Sequence, residues 1–171
     1  FLRELLPTAI RSISLIAVIL FLVGSVGVFQ FLLANLYWPQ KITEFIIGMG
    51  LGQYGFIFMF MLVLLFLGML VDGVAMVLLT VPVVFPVAMA LKIDPVHLAI
   101  IVTLAVETGV VTPPVGLNVF AVSGTSKIPV IEVTKGTIPF FLGDLTVLII
   151  IAFFPALALW LPNLLVHDVF K

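Results

Sequence analysis

Cysteine is absent from this sequence. Its absence excludes a disulfide framework, a thiolate metal site and a cysteine nucleophile. Charge is scarce as well: 7 Lys and Arg stand against 8 Asp and Glu, 9% of the chain, for a net charge of -1. The few basic residues never cluster, so no nucleic-acid partner is expected. Histidine occurs only at His97 and His167, and two isolated imidazoles do not make a metal site. The chain opens on Phe1, with no charged leader followed by a small-residue cleavage site. It reads as a piece of a longer polypeptide.

What fills the chain is apolar. Hydrophobic residues make up 64% of it, and the mean hydropathy is +1.45. Soluble domains run nearer to about half apolar and about a quarter charged. A bilayer accepts this composition, because there the outside of the protein is apolar too. The expected fold class is an all-α, multi-pass integral membrane protein.

The charged residues punctuate long apolar runs. None occurs from Ser12 to Gln40, roughly 29 residues against the roughly 20 that a span needs. A spanning helix is expected from about Ile10 to Leu36, closed by Tyr37 and Trp38 at headgroup level and by Pro39. Residues 40 to 49 set Ile42, Phe45, Ile46 and Met49 on one helical face and Gln40, Lys41 and Glu44 on the other. That segment is either an interfacial amphipathic helix or a connecting turn. The next helix should begin near Gln53 and run to about Met69. The polar interruption at Asp72-Gly73 separates it from a second apolar arm, Val74 to Leu91, in which Pro82 and Pro86 invite a kink. The two arms are either full spans or a re-entrant hairpin with its tip near Asp72.

After Lys92, Asp94 and Pro95, an apolar helix from Val96 to about Val106 is too short to cross alone. His97, just after Pro95, is placed at the membrane interface. Ser123 to Lys135 reads as a polar loop. The last span runs from about Ile138 to Leu161, with Asp144 near its start and Trp160 and Pro162 at its exit. With a cytoplasmic N-terminus, Arg3, Arg11, Lys127 and Lys135 lie inside and Lys41, Lys92 and Lys171 outside, a slight excess in the favoured direction. Four segments follow: residues 1–51, a spanning helix plus interfacial segment; 52–91, a helical hairpin; 92–126, a broken transmembrane helix; and 127–171, a loop and the last span.

The residues that carry chemistry gather at the interruptions. Adjacent prolines in Thr112-Pro113-Pro114-Val115-Gly116-Leu117-Asn118 remove two backbone N–H groups and push Thr112 out of helical geometry. Gly109 and Gly116 permit unusual dihedrals. An unwound stretch inside one membrane crossing is expected. It leaves carbonyls free at one half-helix end and N–H groups at the other, and lipid satisfies neither. Such carbonyls suit Na⁺, and half-helix N-termini suit a carboxylate. Thr108, Thr112 and Asn118 add side-chain oxygens. The plainer alternative is a proline kink satisfied by neighbouring helices. Asp72, in Gly68-Met69-Leu70-Val71-Asp72-Gly73, is open to three roles: cation ligand, proton carrier or acceptor for backbone N–H groups at the tip. Glu107 is open to two: a proton or cation partner, or a helix cap.

In order, Leu67-Gly68-Met69-Leu70-Val71-Asp72-Gly73, Thr80-Val-Pro-Val-Val-Phe-Pro86, Ile93-Asp-Pro95, Thr112 to Asn118 and Ala158-Leu-Trp-Leu-Pro162 resemble the C-terminal half of the large membrane subunit of tripartite ATP-independent periplasmic (TRAP) transporters. The resemblance covers nearly the whole chain. It implies one of two inverted repeats of an elevator-type transporter, with residues 53 to 91 as the second re-entrant hairpin and 96 to 123 as the second broken helix. It also implies Na⁺-coupled uptake of an organic acid, such as a C4-dicarboxylate, across the bacterial or archaeal inner membrane. The implied partners are a small membrane subunit and a periplasmic substrate-binding protein. Na⁺ is the coupling ion, with no other cofactor. Thr112, Pro113, Gly116 and Asn118 match the family pattern at the break, and Asp72 matches at the hairpin; with Gly68, Gly73, Glu107, Thr108 and Gly109, chosen from the residues themselves, they are the expected ion and substrate residues. Na⁺ would lie near Gly109, Thr112 and Asn118 with the hairpin tip at Asp72.

Three alternatives compete. Another ion-coupled anion carrier of broken-helix design would not need a binding protein. A membrane-embedded aspartyl protease would need two facing aspartates, and Asp72 has no partner in a recognisable motif. A purely structural subunit would gain nothing from its broken helices.

Overall fold

The computed structural model describes residues 2–112 and 116–166. Among these residues the regular structure is helical: α1 Leu2–Asn35, α2 Trp38–Gly48, α3 Gln53–Gly68, α4 Gly73–Ala90, α5 Pro95–Val110, α6 Leu117–Ser126, α7 Val130–Phe153 and α8 Pro155–Val166. Three stretches are long and apolar enough to cross a membrane, Ala9–Asn35, Gly73–Ala90 and Val130–Phe153. Gln53–Gly68, Pro95–Val110 and Pro155–Leu165 are apolar but shorter.

The chain divides into two compact units, Phe1–Trp38 and Pro39–Lys171. The first is essentially α1, whose 34 residues extend about 50 Å at 1.5 Å per residue. It starts at Leu2 and runs through Pro7, earlier than the expected start near Ile10. Two of its polar side chains bond back into their own helix. Ser25 Oγ donates to Phe21 O at 2.8 Å, and Asn35 Nδ2 donates to Phe31 O at 2.8 Å. Hydrocarbon offers no other partner, so this local bonding is what a lipid-facing helix requires.

In the second unit α5 is central and packs against α3, α4, α7 and α8. Its buried positions, including Leu98, Ile101, Val102, Ala105, Val106 and Val110, take up most of its circumference. A helix that is apolar nearly all round belongs inside a bundle. Phe56, Leu64, Met76, Val87, Ile101 and Leu148 are fully buried around it. The outer faces stay apolar: Phe58, Phe66, Phe140, Phe153 and Trp160 are all exposed. On α2, Ile46 is buried and Ile42 packs against the core, while Phe45 and Met49 are exposed. The amphipathic face is therefore narrower than the sequence suggested.

Two sequence expectations change at the C-terminal side. Ser123 to Lys135 is not a loop: α6 continues to Ser126 and α7 begins at Val130, leaving a short link at Lys127. The last apolar run is two helices rather than one, because Pro155 has no N–H to donate and the chain turns at Phe154 (φ -119°, ψ 77°). Since α7 starts so early, Asp144 lies well inside it rather than near its start, and it is exposed. A carboxylate at the bilayer centre costs at least about 2.5 kcal/mol. That face of α7 must therefore meet protein or water rather than acyl chains.

His97 is the third change. It is buried rather than interfacial, and its Nε2 lies 2.8 Å from Ile151 O. In an unbroken helix Ile151 O would accept from residue 155, which here is proline. His97 supplies the donor that Pro155 lacks. Because a carbonyl only accepts, Nε2 carries the proton.

Candidate functional site

Two local structures build the site. The first is the turn between α3 and α4. Asp72 (φ -61°, ψ 142°) caps α4 and accepts from Val74 N at 3.0 Å and Ala75 N at 3.4 Å. Both bonds fall on Oδ2, so Oδ1 lies outside the cap. Before the turn, Val71 N donates to Leu67 O at 2.8 Å and closes the end of α3. The carboxylate is an N-cap because it satisfies donors that the first turn of a helix leaves unpaired.

The second is the junction between α5 and α6. Helix α5 ends at Val110, and Thr112 N donates to Gly109 O at 3.0 Å. Helix α6 restarts from Gly116, whose φ of 53° is left-handed. A side chain there would be strained and would also meet Thr112 O at 3.1 Å. Pro113, like Pro114 and Val115, lies outside the described residues.

Between these two structures lies a cavity of about 460 Å³. Asp72, Gly73, Val74, Val77 and Leu78 line it from the turn and α4. Thr103, Val106, Glu107 and Val110 line it from α5, and Leu117 and Asn118 from α6. Asp72, Gly73, Glu107 and Asn118, all singled out by sequence, thus share one cavity. Gly68, Thr108, Gly109, Thr112 and Gly116 are not on its lining. Thr108 is fully buried and its Oγ1 donates to Leu104 O at 2.7 Å. Thr112 is buried and its Oγ1 donates to Thr108 O at 2.6 Å.

Gly68 and Gly109 touch backbone to backbone. A Cβ built on Gly68 would stand 2.6 Å from Gly109 Cα, and one on Gly109 would stand 2.9 Å from Gly68 Cα. Neither separation exists between real carbon atoms, so α3 and α5 approach this closely only because both residues are glycine.

Thr103, Val106 and Val110 were not expected at the site. Their signal is their spacing around Glu107: positions 103, 106, 107 and 110 follow the i, i+3, i+4, i+7 rhythm of one helix face. Thr103 Oγ1 donates to Ala99 O at 2.9 Å, so the hydroxyl keeps acceptor capacity.

The lining holds two carboxylates, an amide and a hydroxyl, and among the described residues no basic side chain. No cluster of three or more His, Asp or Glu occurs among the described residues, so a transition-metal set is not built. Oxygen donors of this kind fit a hard cation. The N-terminal turn of α6, which no side chain caps, also lines the cavity, and unpaired N–H groups at such a turn favour a carboxylate. One cavity thus offers surroundings for a cation and for an organic anion.

Known proteins are similar to this sequence. It is 35% identical over 164 residues to the C4-dicarboxylate TRAP transporter large permease protein of Rhodobacter capsulatus, covering 96% of this chain and 37% of that protein. It is 33% identical to the sialic acid TRAP transporter large permease protein of Vibrio cholerae, covering 90% and 36%. It is 34% identical to the ectoine/5-hydroxyectoine TRAP transporter large permease protein of Ruegeria pomeroyi, covering 95% and 38%. The chain spans a little over a third of the length of these relatives, which are permeases rather than enzymes. Residues 2–157 match the tripartite ATP-independent periplasmic transporter family, DctM component, and the chain belongs to that family.

Proposed function

We propose that this chain forms one wall of the ion and substrate site in a Na⁺-coupled TRAP permease that takes up a small organic acid across the inner membrane. The acid would be delivered by a periplasmic binding protein, and a small membrane subunit would complete the transporter. The observation that carries this reading is the cavity lined by Asp72, Glu107 and Asn118, without a basic side chain among its described residues.

In this reading α3 and α4 form a re-entrant hairpin, and α5 with α6 forms one discontinuous crossing. At 16 and 10 residues, neither half of that crossing reaches the roughly 20 needed alone. Asp72 Oδ1, the Asn118 side chain and the carbonyl end of α5 near Gly109 and Thr112 would hold the Na⁺. Neutralising the two carboxylates with a cation makes room for an anion beside them, so each ligand strengthens the other's binding. The carboxylate of the substrate then meets the N-terminal turn of α6, since Asp72 already caps that of α4. An elevator movement of the hairpin and the broken helix would carry both ligands across. The relatives' printed substrates include a C4-dicarboxylate and sialic acid, which supports a carboxylate as the cargo class here.

The test is uptake into proteoliposomes holding the complete transporter and its binding protein, with and without a Na⁺ gradient. Asn118→Ala should weaken Na⁺-driven uptake while the complex still assembles. Full uptake with unchanged Na⁺ dependence would remove Asn118 from the site.

A further inference from the structure

The α3–α4 turn is held to α5 at three glycines, and their contacts flank the two carboxylates. Gly68 lies one turn before Asp72 and meets Gly109 through backbone atoms. Gly109 itself follows Glu107 by two residues. Gly73 directly follows Asp72, and a Cβ on it would stand 3.0 Å from Val106 Cγ1 and 3.7 Å from Val110 Cγ1. Val106 directly precedes Glu107. Each side of Asp72 is therefore pinned to the segment of α5 that presents Glu107.

We infer that Gly68, Gly73 and Gly109 form a clamp that sets the separation of Asp72 and Glu107 across the cavity, and so act as positioning residues for the cation. This rests on the Na⁺ reading given above. The physical reason is that small residues remove the side-chain layer that normally separates two helices. The separation is then fixed by backbone contact, which does not adjust by changing a rotamer. Carbon atoms rest about 3.5–4.0 Å apart. Adding one carbon to Gly73 must therefore displace either the turn or Val106 by about a few tenths of an ångström. A cation site tolerates little displacement of its ligands.

Gly73 gives the cleanest test, because its obstruction is a side chain that can be shortened. Its φ lies outside the left-handed region, so alanine brings steric contact without backbone strain. Alanine is also the better helix former, so any loosening cannot come from propensity. The complete transporter carrying Gly73→Ala is compared with wild type and with the double variant Gly73→Ala, Val106→Ala.

Two readouts are taken. One is amide hydrogen exchange of segment 66–76 in Na⁺-free buffer, which reports the clamp without any ligand. The other is the Na⁺ concentration giving half-maximal uptake. Gly73→Ala should speed exchange and raise the half-maximal Na⁺ by about tenfold, the scale of a misplaced binding group. The double variant should restore both. Unchanged exchange in Gly73→Ala overturns the clamp, and so does an exchange defect that Val106→Ala fails to repair. Exchange that responds while the half-maximal Na⁺ does not leaves the glycines as mere packing and overturns their positioning role. If exchange responds and wild-type uptake shows no Na⁺ dependence at all, the Na⁺ reading falls and the clamp alone remains.

Discussion

The two ends of α5 use similar residues to opposite effect. At its start, Asp94 accepts from Val96 N at 2.8 Å and His97 N at 3.3 Å. At the other end, Asp72 makes the same kind of cap on α4. Beside Asp94 two polar side chains bond within the protein. His97 Nε2 donates to Ile151 O, and Gln53 Nε2 donates to Leu91 O at 2.7 Å and Lys92 O at 3.0 Å. Around Asp72, by contrast, Glu107 and Asn118 face a cavity of about 460 Å³. The start of α5 is the more closed end: it borders a smaller cavity, of about 160 Å³, whose imidazole and amide are engaged by backbone carbonyls, whereas its end borders the larger one. The difference shows that a capping aspartate is not by itself a sign of function; what surrounds it decides.

Three substitutions sharpen this contrast, in falling order of expected effect. Gly68→Ala forces a carbon to within 2.6 Å of backbone that has no side chain to move. Overpacking of this kind costs typically about 1–3 kcal/mol, and this case should fall at the upper end. Thermal unfolding of the purified transporter would show it, and an unchanged Tm would mean that the helices separate freely.

Next comes His97→Ala. It leaves the part-buried Ile151 carbonyl without its donor, a loss at the lower end of about 1–3 kcal/mol. Thermal unfolding should drop while half-maximal Na⁺ stays at the wild-type value, because His97 belongs to the closed end. A shift in Na⁺ dependence would join the two ends and blur the contrast. Smallest is Asp94→Asn. Asparagine caps about as well as aspartate, so stability should change by no more than a few tenths of a kcal/mol. Uptake should be unaffected.

The same contrast separates what was legible in the sequence from what was not. Asp72-Gly73 and Gly109 to Asn118 could be located because charge, glycine and proline are rare in apolar runs, and each disturbs a helix for a definite reason. That they face each other was expected from the family resemblance and not from local pattern, which carries no tertiary distance. The Gly68–Gly109 contact is an example. Each glycine was noticed as a flexible or binding position, and only the fold reveals that they touch.

The break at Phe154 was hidden because Pro155 sits in a continuous apolar run without a neighbouring polar residue. Burial of His97 was hidden for a related reason. Its partner is a carbonyl left without its usual donor 54 positions away, and nothing near His97 announces it. The start of α7 was misplaced because Glu132 and Lys135 read as loop residues, whereas both lie exposed on the first turns of a long helix. In lipid-facing segments apolarity is also uninformative about burial, so Phe45 and Ile46 look alike in sequence and differ in the fold.

The central claim is that Asp72 serves a cation in addition to capping α4. Asp72→Asn keeps the capping oxygen and removes the charge, so it separates the two roles. The most direct measurement is Na⁺-induced thermal stabilisation of the complete purified transporter, with K⁺ replacing Na⁺ at equal ionic strength. A site filled at about 100 times its Kd stabilises by about 2.7 kcal/mol. The account predicts that wild type and Asp94→Asn gain this stabilisation, while Asp72→Asn unfolds normally in K⁺ and gains little from Na⁺. Full Na⁺ stabilisation in Asp72→Asn would contradict it.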